Sequence, residues 1–259
     1  NPVTGDQVAM TNHHWKFSVT ALREGLGVSR LLMLNDFTAL ALALTLLPES
    51  HKQQVGGGMA APNAAIGLIG PGTGLGVSGL FPVGYQNKWL PIAGEGGHVS
   101  LTATTAHEFA AIQQLQKRYG HVSAERVISG AGLVDLYHAL CDLKDGQGRE
   151  ITTPAEVLER AQDLPSSTAN EALDMFCGFL GSVAGDLALT LGARGGIYIG
   201  GGIVPRLGER FATSPFRARF EAKGRFQAYL QDIPTWVIHS PVSPALQGAS
   251  QALSLTQWQ

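Results

Sequence analysis

Glycine stands at every second position from residue 70 to residue 76, in the run Gly70-Pro71-Gly72-Thr73-Gly74-Leu75-Gly76, and this spacing constrains the chain more than any other feature. Side chains alternate across an extended strand, so glycines two apart leave one face of a ribbon bare. The flanking residues 64–69 and 75–83 are apolar and predict paired strands around a turn at residues 71–74. A second run, Gly195-Gly196-Ile197-Tyr198-Ile199-Gly200-Gly201-Gly202-Ile203, predicts a buried strand that ends in three glycines before a helix with Pro205 near its start. Two readings stand for each run. Bare backbone can let a phosphate, base or ribose approach the main-chain amides, with Thr73 adding a hydroxyl in the first run. Alternatively, the glycines serve a sharp turn and nothing else. A Gly-x-Gly-x-x-Gly match at residues 74–79 is set aside, because a dinucleotide fingerprint closes a strand and opens a helix, whereas residues 80–84 continue as β-like sequence with Pro82 inside it.

Elsewhere short apolar β-like runs alternate with helical segments, which predicts an α/β fold. Residues 30–34 read as a buried strand that runs into Asn35-Asp36 and an Ala/Leu-rich helix over residues 37–47, stopped by Pro48. A Thr with Glu three residues on marks three helix starts: Thr105 with Glu108, Thr153 with Glu156 and Pro154 at the first helical position, and Thr168 with Glu171. The third predicts a long, apolar, central helix through Leu191 to Gly192. Residues 236–239 predict one more strand and residues 244–255 a closing helix.

Composition removes several function classes. Of 259 residues, 44% are hydrophobic and 15% charged, against roughly 25% charged in typical soluble proteins. Disorder is excluded. Eighteen Lys and Arg against 20 Asp and Glu, with no basic run, argue against nucleic acid as a partner. The two cysteines, Cys141 and Cys177, are far apart and support neither a disulfide framework nor a structural zinc site, so a reducing, cytoplasmic setting is expected. Residues 37–47 are taken as the longest apolar-looking run, short of the ~20 residues that cross a bilayer, which predicts no membrane helix. Walker A, protein-kinase and Gly-x-Ser-x-Gly signatures are absent.

Three further segments carry candidate chemistry. Asn35-Asp36 falls at the carboxyl end of a predicted strand, where α/β folds hold ligands, and Asp36 is equally readable as a helix N-cap. Gly94-Glu95-Gly96-Gly97-His98 holds a carboxylate and an imidazole on a glycine loop. Such groups suit polyol hydroxyls, since a carboxylate accepts two hydrogen bonds and a neutral imidazole both donates and accepts. A solvated turn is the alternative, and no second His or Cys at ligand spacing supports a metal site. Glu125, in Ser123-Ala124-Glu125-Arg126, is either a ligand or a helix-start charge that complements the dipole.

Taken together, Leu34-Asn35-Asp36-Phe37-Thr38-Ala39, Gly72-Thr73-Gly74-Leu75-Gly76, Gly94-Glu95-Gly96-Gly97-His98, the block from Gly120-His121-Val122-Ser123-Ala124-Glu125-Arg126 to Gly130, and Gly200-Gly201-Gly202-Ile203-Val204-Pro205-Arg206 resemble bacterial glucokinases of the type lacking a zinc-binding cysteine cluster. The resemblance covers nearly the whole chain in order. It implies an actin-like, ribonuclease-H-like ATPase fold with two α/β lobes around a cleft, here residues 1–46 with 238–259 and residues 47–237. It implies a transferase of glycolysis that phosphorylates the glucose 6-hydroxyl with ATP and Mg2+. Carried over by position, Asp36 is the general base, and Asn35, Glu95, His98 and Glu125 bind sugar hydroxyls. Gly72, Thr73 and Gly74 match a phosphate-binding element, and Gly200, Gly201 and Gly202 an adenosine element. The family often forms homodimers, with the interface expected on the large lobe.

The chain departs from the family in one respect. An Asp-x-Gly-Gly-Thr hairpin, the family's first phosphate element, is not found, and residues 1–6 resemble a stretch that follows it. The sequence therefore reads as a family member without its first strands, which is expected to expose a strand edge and apolar surface. A kinase for another hexose or an amino sugar, and a sugar-binding module that transfers nothing, are the competing readings.

Overall fold

A computed structural model describes residues 5–9, 14–84, 88–144, 146, 149–164 and 167–254. Two short antiparallel strands come first, β1 (Gln7–Ala9) and β2 (Lys16–Ser18), followed by α1 (Val19–Gly25) and α2 (Asp36–Ala43). Strands β3 (Lys52–Val55), β4 (Ile66–Pro71), β5 (Leu75–Val83) and β6 (Lys88–Ala93) precede a helical block of α3 (Ala106–Tyr119), α4 (Gly130–Lys144), α5 (Pro154–Asp163) and α6 (Thr168–Leu191). Then come β7 (Ile197–Ile199), α7 (Glu209–Thr213), α8 (Phe216–Glu221), α9 (Gln227–Gln231), β8 (Thr235–Ile238) and α10 (Ala245–Ala252).

Six strands form one mixed sheet in the order β3-β8-β7-β4-β5-β6, in which β7 runs parallel to both β4 and β8 and the other pairings are antiparallel. Alternation along the strands divides the core in two. Ile69, Ile197, Ile199 and Val237 face the larger cluster, built with α3 to α6 and α8, while Leu68, Leu80, Tyr198 and Ile238 face a smaller one under α2 and α10. Both faces of the sheet are covered, as its near-continuous apolar strands require.

Helix α6 is the spine of the larger cluster, and Gly192 caps it in a left-handed conformation (φ 59°, ψ 40°), as the sequence predicts. By length and composition its 24 residues could span a bilayer, and they exceed the run over residues 37–47 taken from the sequence as the longest apolar one. Asn170, Glu171, Asp174 and Asp186 interrupt its apolar run. The helix is mostly buried inside the protein, packed by α4, α5 and α8. Helix α8 approaches so closely that a Cβ on Gly181 would lie 2.2 Å from the Phe216 carbonyl oxygen. Gly181→Val is therefore expected to lower stability by about 1–3 kcal/mol through overpacking. An unchanged urea midpoint would contradict that contact.

Two of the three predicted capping boxes form, at Thr105 with Glu108 and at Thr153 with Glu156. The third does not. Ser167, one residue earlier, caps α6 by accepting the Asn170 N–H, and Glu171 turns outward to Lys144 and His107. The strand predicted over residues 30–34 is also absent; the segment is irregular, without a ladder to any described strand, and Leu32 and Leu34 pack instead on the smaller cluster. The helix after it stops at Ala43 and tightens into a 3-10 turn, Leu44–Leu46. Residues 1–4 and 255, parts of two predicted features, lie outside the described residues. Apolar surface is present on the amino-terminal segment, where Trp15, Leu22, Leu26 and Val28 are exposed.

Candidate functional site

The glycine ribbon is the β4–β5 hairpin, with Gly70 opposite Gly76 and Pro71 opposite Leu75. Its tip closes through a 2.8 Å bond from the Gly72 N–H to the Gly74 carbonyl, and the Gly72 carbonyl accepts the Gly130 N–H at 2.9 Å, where α4 begins. Three of the four alternate glycines make room for the chain's own side chains. A Cβ would lie 2.6 Å from the Phe37 ring at Gly70 and 2.1 Å from it at Gly76, and 2.4 Å from Glu125 Oε2 at Gly74. Gly72 alone of the four looks onto open space, next to the exposed Thr73, so approach to bare backbone is left to the hairpin tip.

Phe37 draws Asn35 and Asp36 to this ribbon. The N-cap of α2 is Asn35, whose Oδ1 accepts the Phe37 and Thr38 amides at 2.8 and 3.1 Å. Asp36 is the first helical residue rather than the cap, with Oδ1 2.9 Å from the Phe37 amide, and it is exposed. The reading of Asp36 as the helix N-cap is thereby corrected: its neighbour does that work and leaves the Asp36 Oδ2 to other partners.

Glu95 and His98 bracket a 3-10 turn, Gly96–His98, in which the His98 amide donates to the Glu95 carbonyl at 3.0 Å. The turn presses on β5, where a Cβ on Gly97 would lie 2.2 Å from the Leu75 carbonyl oxygen. The chain then pairs briefly with the segment before Glu125, through Leu101 N–H to Val122 O (3.0 Å) and Ala124 N–H to Val99 O (2.8 Å). That pairing delivers Glu125, half-buried, to the same strand, and its Oε2 accepts the Leu75 amide at 2.8 Å. Three segments, carrying Asn35-Asp36, Glu95 with His98, and Glu125, thus meet at Leu75 and Gly76.

The second glycine run reaches the same place. The Gly200 amide donates to the Ile69 carbonyl at 2.9 Å. Gly201 has φ +80°, and a Cβ there would lie 2.2 Å from the Pro71 carbonyl oxygen, so no other residue fits without displacing the hairpin. Gly200 and Gly201 are seated against the base of the ribbon's tip, and Gly202 faces open space. All of this lies at the carboxyl ends of β4 and β7, which run parallel, and that is the usual ligand edge of an α/β sheet.

Sequence reasoning did not single out the Phe37 ring, the Leu75 amide or the start of α4 at Gly130. The alternate glycines signalled a bare face without saying what covers it. A cavity of 370 Å³ between α3, α6 and α8 lies elsewhere, and its Glu108 and Asp174 already pair with Arg219 and Arg210. Among the described residues no group of three His, Cys, Asp or Glu side chains is placed to hold a metal ion.

The family model for glucokinase matches residues 1–256. The chain belongs to the glucokinase family. It is 54% identical over 254 residues to the glucokinase of Chromobacterium violaceum, covering 98% of this chain and 72% of that protein. It is 50% identical to the bifunctional protein glk of Paraburkholderia xenovorans, of which it spans 39%. A crystal structure of glucokinase from an Antarctic psychrotroph superposes with a TM-score of 0.86 at 35% identity, over 98% of this chain and 77% of that one. The fold is accordingly the α/β architecture of actin-like sugar kinases, as the motifs implied. The family's activity is ATP-dependent phosphorylation of glucose, and the glucokinase reading of the sequence stands.

Proposed function

We propose that the segments meeting at Leu75 and Gly76 form the glucose and ATP sites of this glucokinase-family chain, with Asp36 as the general base. The observation that carries this reading is the Phe37 ring lying across Gly70 and Gly76, which holds the Asn35-Asp36 turn beside the glycine ribbon. Asp36 takes the proton of the glucose 6-hydroxyl as that oxygen attacks the γ-phosphorus and the bond to the β-γ bridging oxygen breaks. Phosphoryl transfer needs little covalent help from the protein, so positioning and charge stabilisation carry most of the effect. Asn35 caps the helix through Oδ1, which leaves its Nδ2 to donate to a hydroxyl. Glu95, His98 and Glu125 hold further hydroxyls.

Gly72, Thr73 and Gly74 cradle ATP phosphates at the hairpin tip, and Gly200, Gly201 and Gly202 lie under the adenosine. Mg2+ enters with ATP, since among the described residues no group of three His, Cys, Asp or Glu side chains is placed to hold it alone. The same reading divides the chain into a small lobe, residues 1–46 with 238–259, and a large lobe, residues 47–237. It also gives a homodimer and a cytoplasmic setting. Cys141 and Cys177 are free and buried, and burial pushes the Cys177 thiol up to about 12, so neither is a ready nucleophile or disulfide partner.

Glu95→Gln is expected to weaken glucose binding about tenfold, the cost of a hydrogen bond to a charged acceptor. Calorimetry with glucose checks this, and an unaltered affinity would remove Glu95 from the sugar site.

A further inference from the structure

We infer that Glu125 is a positioning residue that couples the sugar subsite to the nucleotide ribbon, using one carboxylate oxygen for each. The inference rests on the reading above that Glu125 faces the sugar. Its Oε2 accepts the Leu75 amide at 2.8 Å, and Gly74 lacks a Cβ where that oxygen sits, 2.4 Å away. Five residues on, the Gly130 amide holds the Gly72 carbonyl at 2.9 Å. Both ends of the hairpin tip are therefore tied to one short segment. That segment is firm: Ala124, Val127 and Ile128 are fully buried, and the Ile128 amide returns to the Ala124 carbonyl at 2.7 Å.

Among the described residues the bond to this carboxylate is on Oε2, which leaves Oε1 to accept a sugar hydroxyl. A hydroxyl bound there fixes the Glu125 side chain, and with it the Leu75 amide and the tip that receives the phosphates. ATP then binds a ribbon whose ordering cost has already been met. By linkage the effect is reciprocal, so ATP tightens glucose by the same factor.

The test is the affinity of the Mg2+ complex of AMPPNP, with and without saturating glucose, for the unaltered chain, Glu125→Gln and Gly74→Ala. Glucose is expected to tighten AMPPNP about 5-fold or more in the unaltered chain, a typical coupling. Gly74→Ala displaces the carboxylate from the ribbon, and the factor should fall to about 1. Glu125→Gln should lose both the coupling and about tenfold in glucose affinity. No coupling in the unaltered chain, or full coupling in Gly74→Ala, overturns the inference and leaves the sugar site standing. Unchanged glucose affinity in Glu125→Gln, or no glucose binding by the unaltered chain, overturns the underlying site reading instead.

Discussion

Asp36→Asn is expected to lower kcat for glucose phosphorylation by about 10²- to 10⁴-fold, the usual worth of a positioned general base, with glucose binding retained. The substitution keeps the shape of the side chain, and an amide oxygen can still accept the Phe37 N–H that Asp36 Oδ1 accepts. Helix α2 keeps its start, because Asn35 supplies the cap. The Phe37 ring still lies across Gly70 and Gly76, so the turn stays beside the ribbon. Loss of turnover would then report the missing base and not a displaced loop. A coupled assay beside glucose calorimetry separates the two, and full turnover in the folded variant would end the role given to Asp36.

Arg219→Met is expected to cost about 3–5 kcal/mol of stability, the penalty for stripping a buried ion pair of one partner. Glu108 is buried, and its carboxylate is held by Arg219, which also donates to Ser182 Oγ at 2.9 Å. The lower end of the range is expected, since the Thr104 and Thr105 amides, at 2.7 and 3.2 Å, still reach the carboxylate in the variant. Burial by itself raises the Glu108 pKa, but the Arg219 hydrogen bond and the Thr104 amide outweigh it and hold the group below its ordinary 4.5. A carboxyl lowered by folding adds stability at pH above 4.5 and loses it as pH falls through the folded value. Urea titrations should show the gap between Arg219→Met and the unaltered chain at neutral pH, narrowing below pH 4.5. A gap that stays constant into that acid range would contradict the account.

Much of the fold was legible because local chemistry and tertiary role agreed. Apolar runs on either side of spaced glycines marked the β4–β5 hairpin, with β5 at Leu75–Val83 as expected and β4 displaced by two residues. Strand β7, Ile197–Ile199, was bounded by glycines on both sides and matched its prediction. Edge strands were not legible. Lys52–Val55 is polar at three of its four positions and Lys88–Ala93 contains Pro91, and a proline is tolerated there because an edge strand has one free side. Residues 30–34 failed in the opposite sense, since an apolar run specifies burial but not a neighbouring strand.

The candidate residues could be named from their motifs, but the manner in which their segments meet could not. Glu125 reaches the Leu75 amide across 50 residues, through a pairing of residues 99–101 with 122–124 that carries no local signal. Adjacent Asn and Asp are both good N-caps, so only the structure could assign the cap to Asn35 and place Asp36 in the first turn.

The most direct measurement is a glucose titration of the isotopically labelled chain followed through its backbone amide resonances. The account predicts that the largest shifts fall on Leu75, Gly76, Gly97 and the amides of Phe37 and Thr38, the backbone that the proposed sugar ligands touch or cap. Shifts confined to the cavity lined by Glu108, Asp174 and Gly178, with Leu75 and Gly76 unmoved, would contradict it.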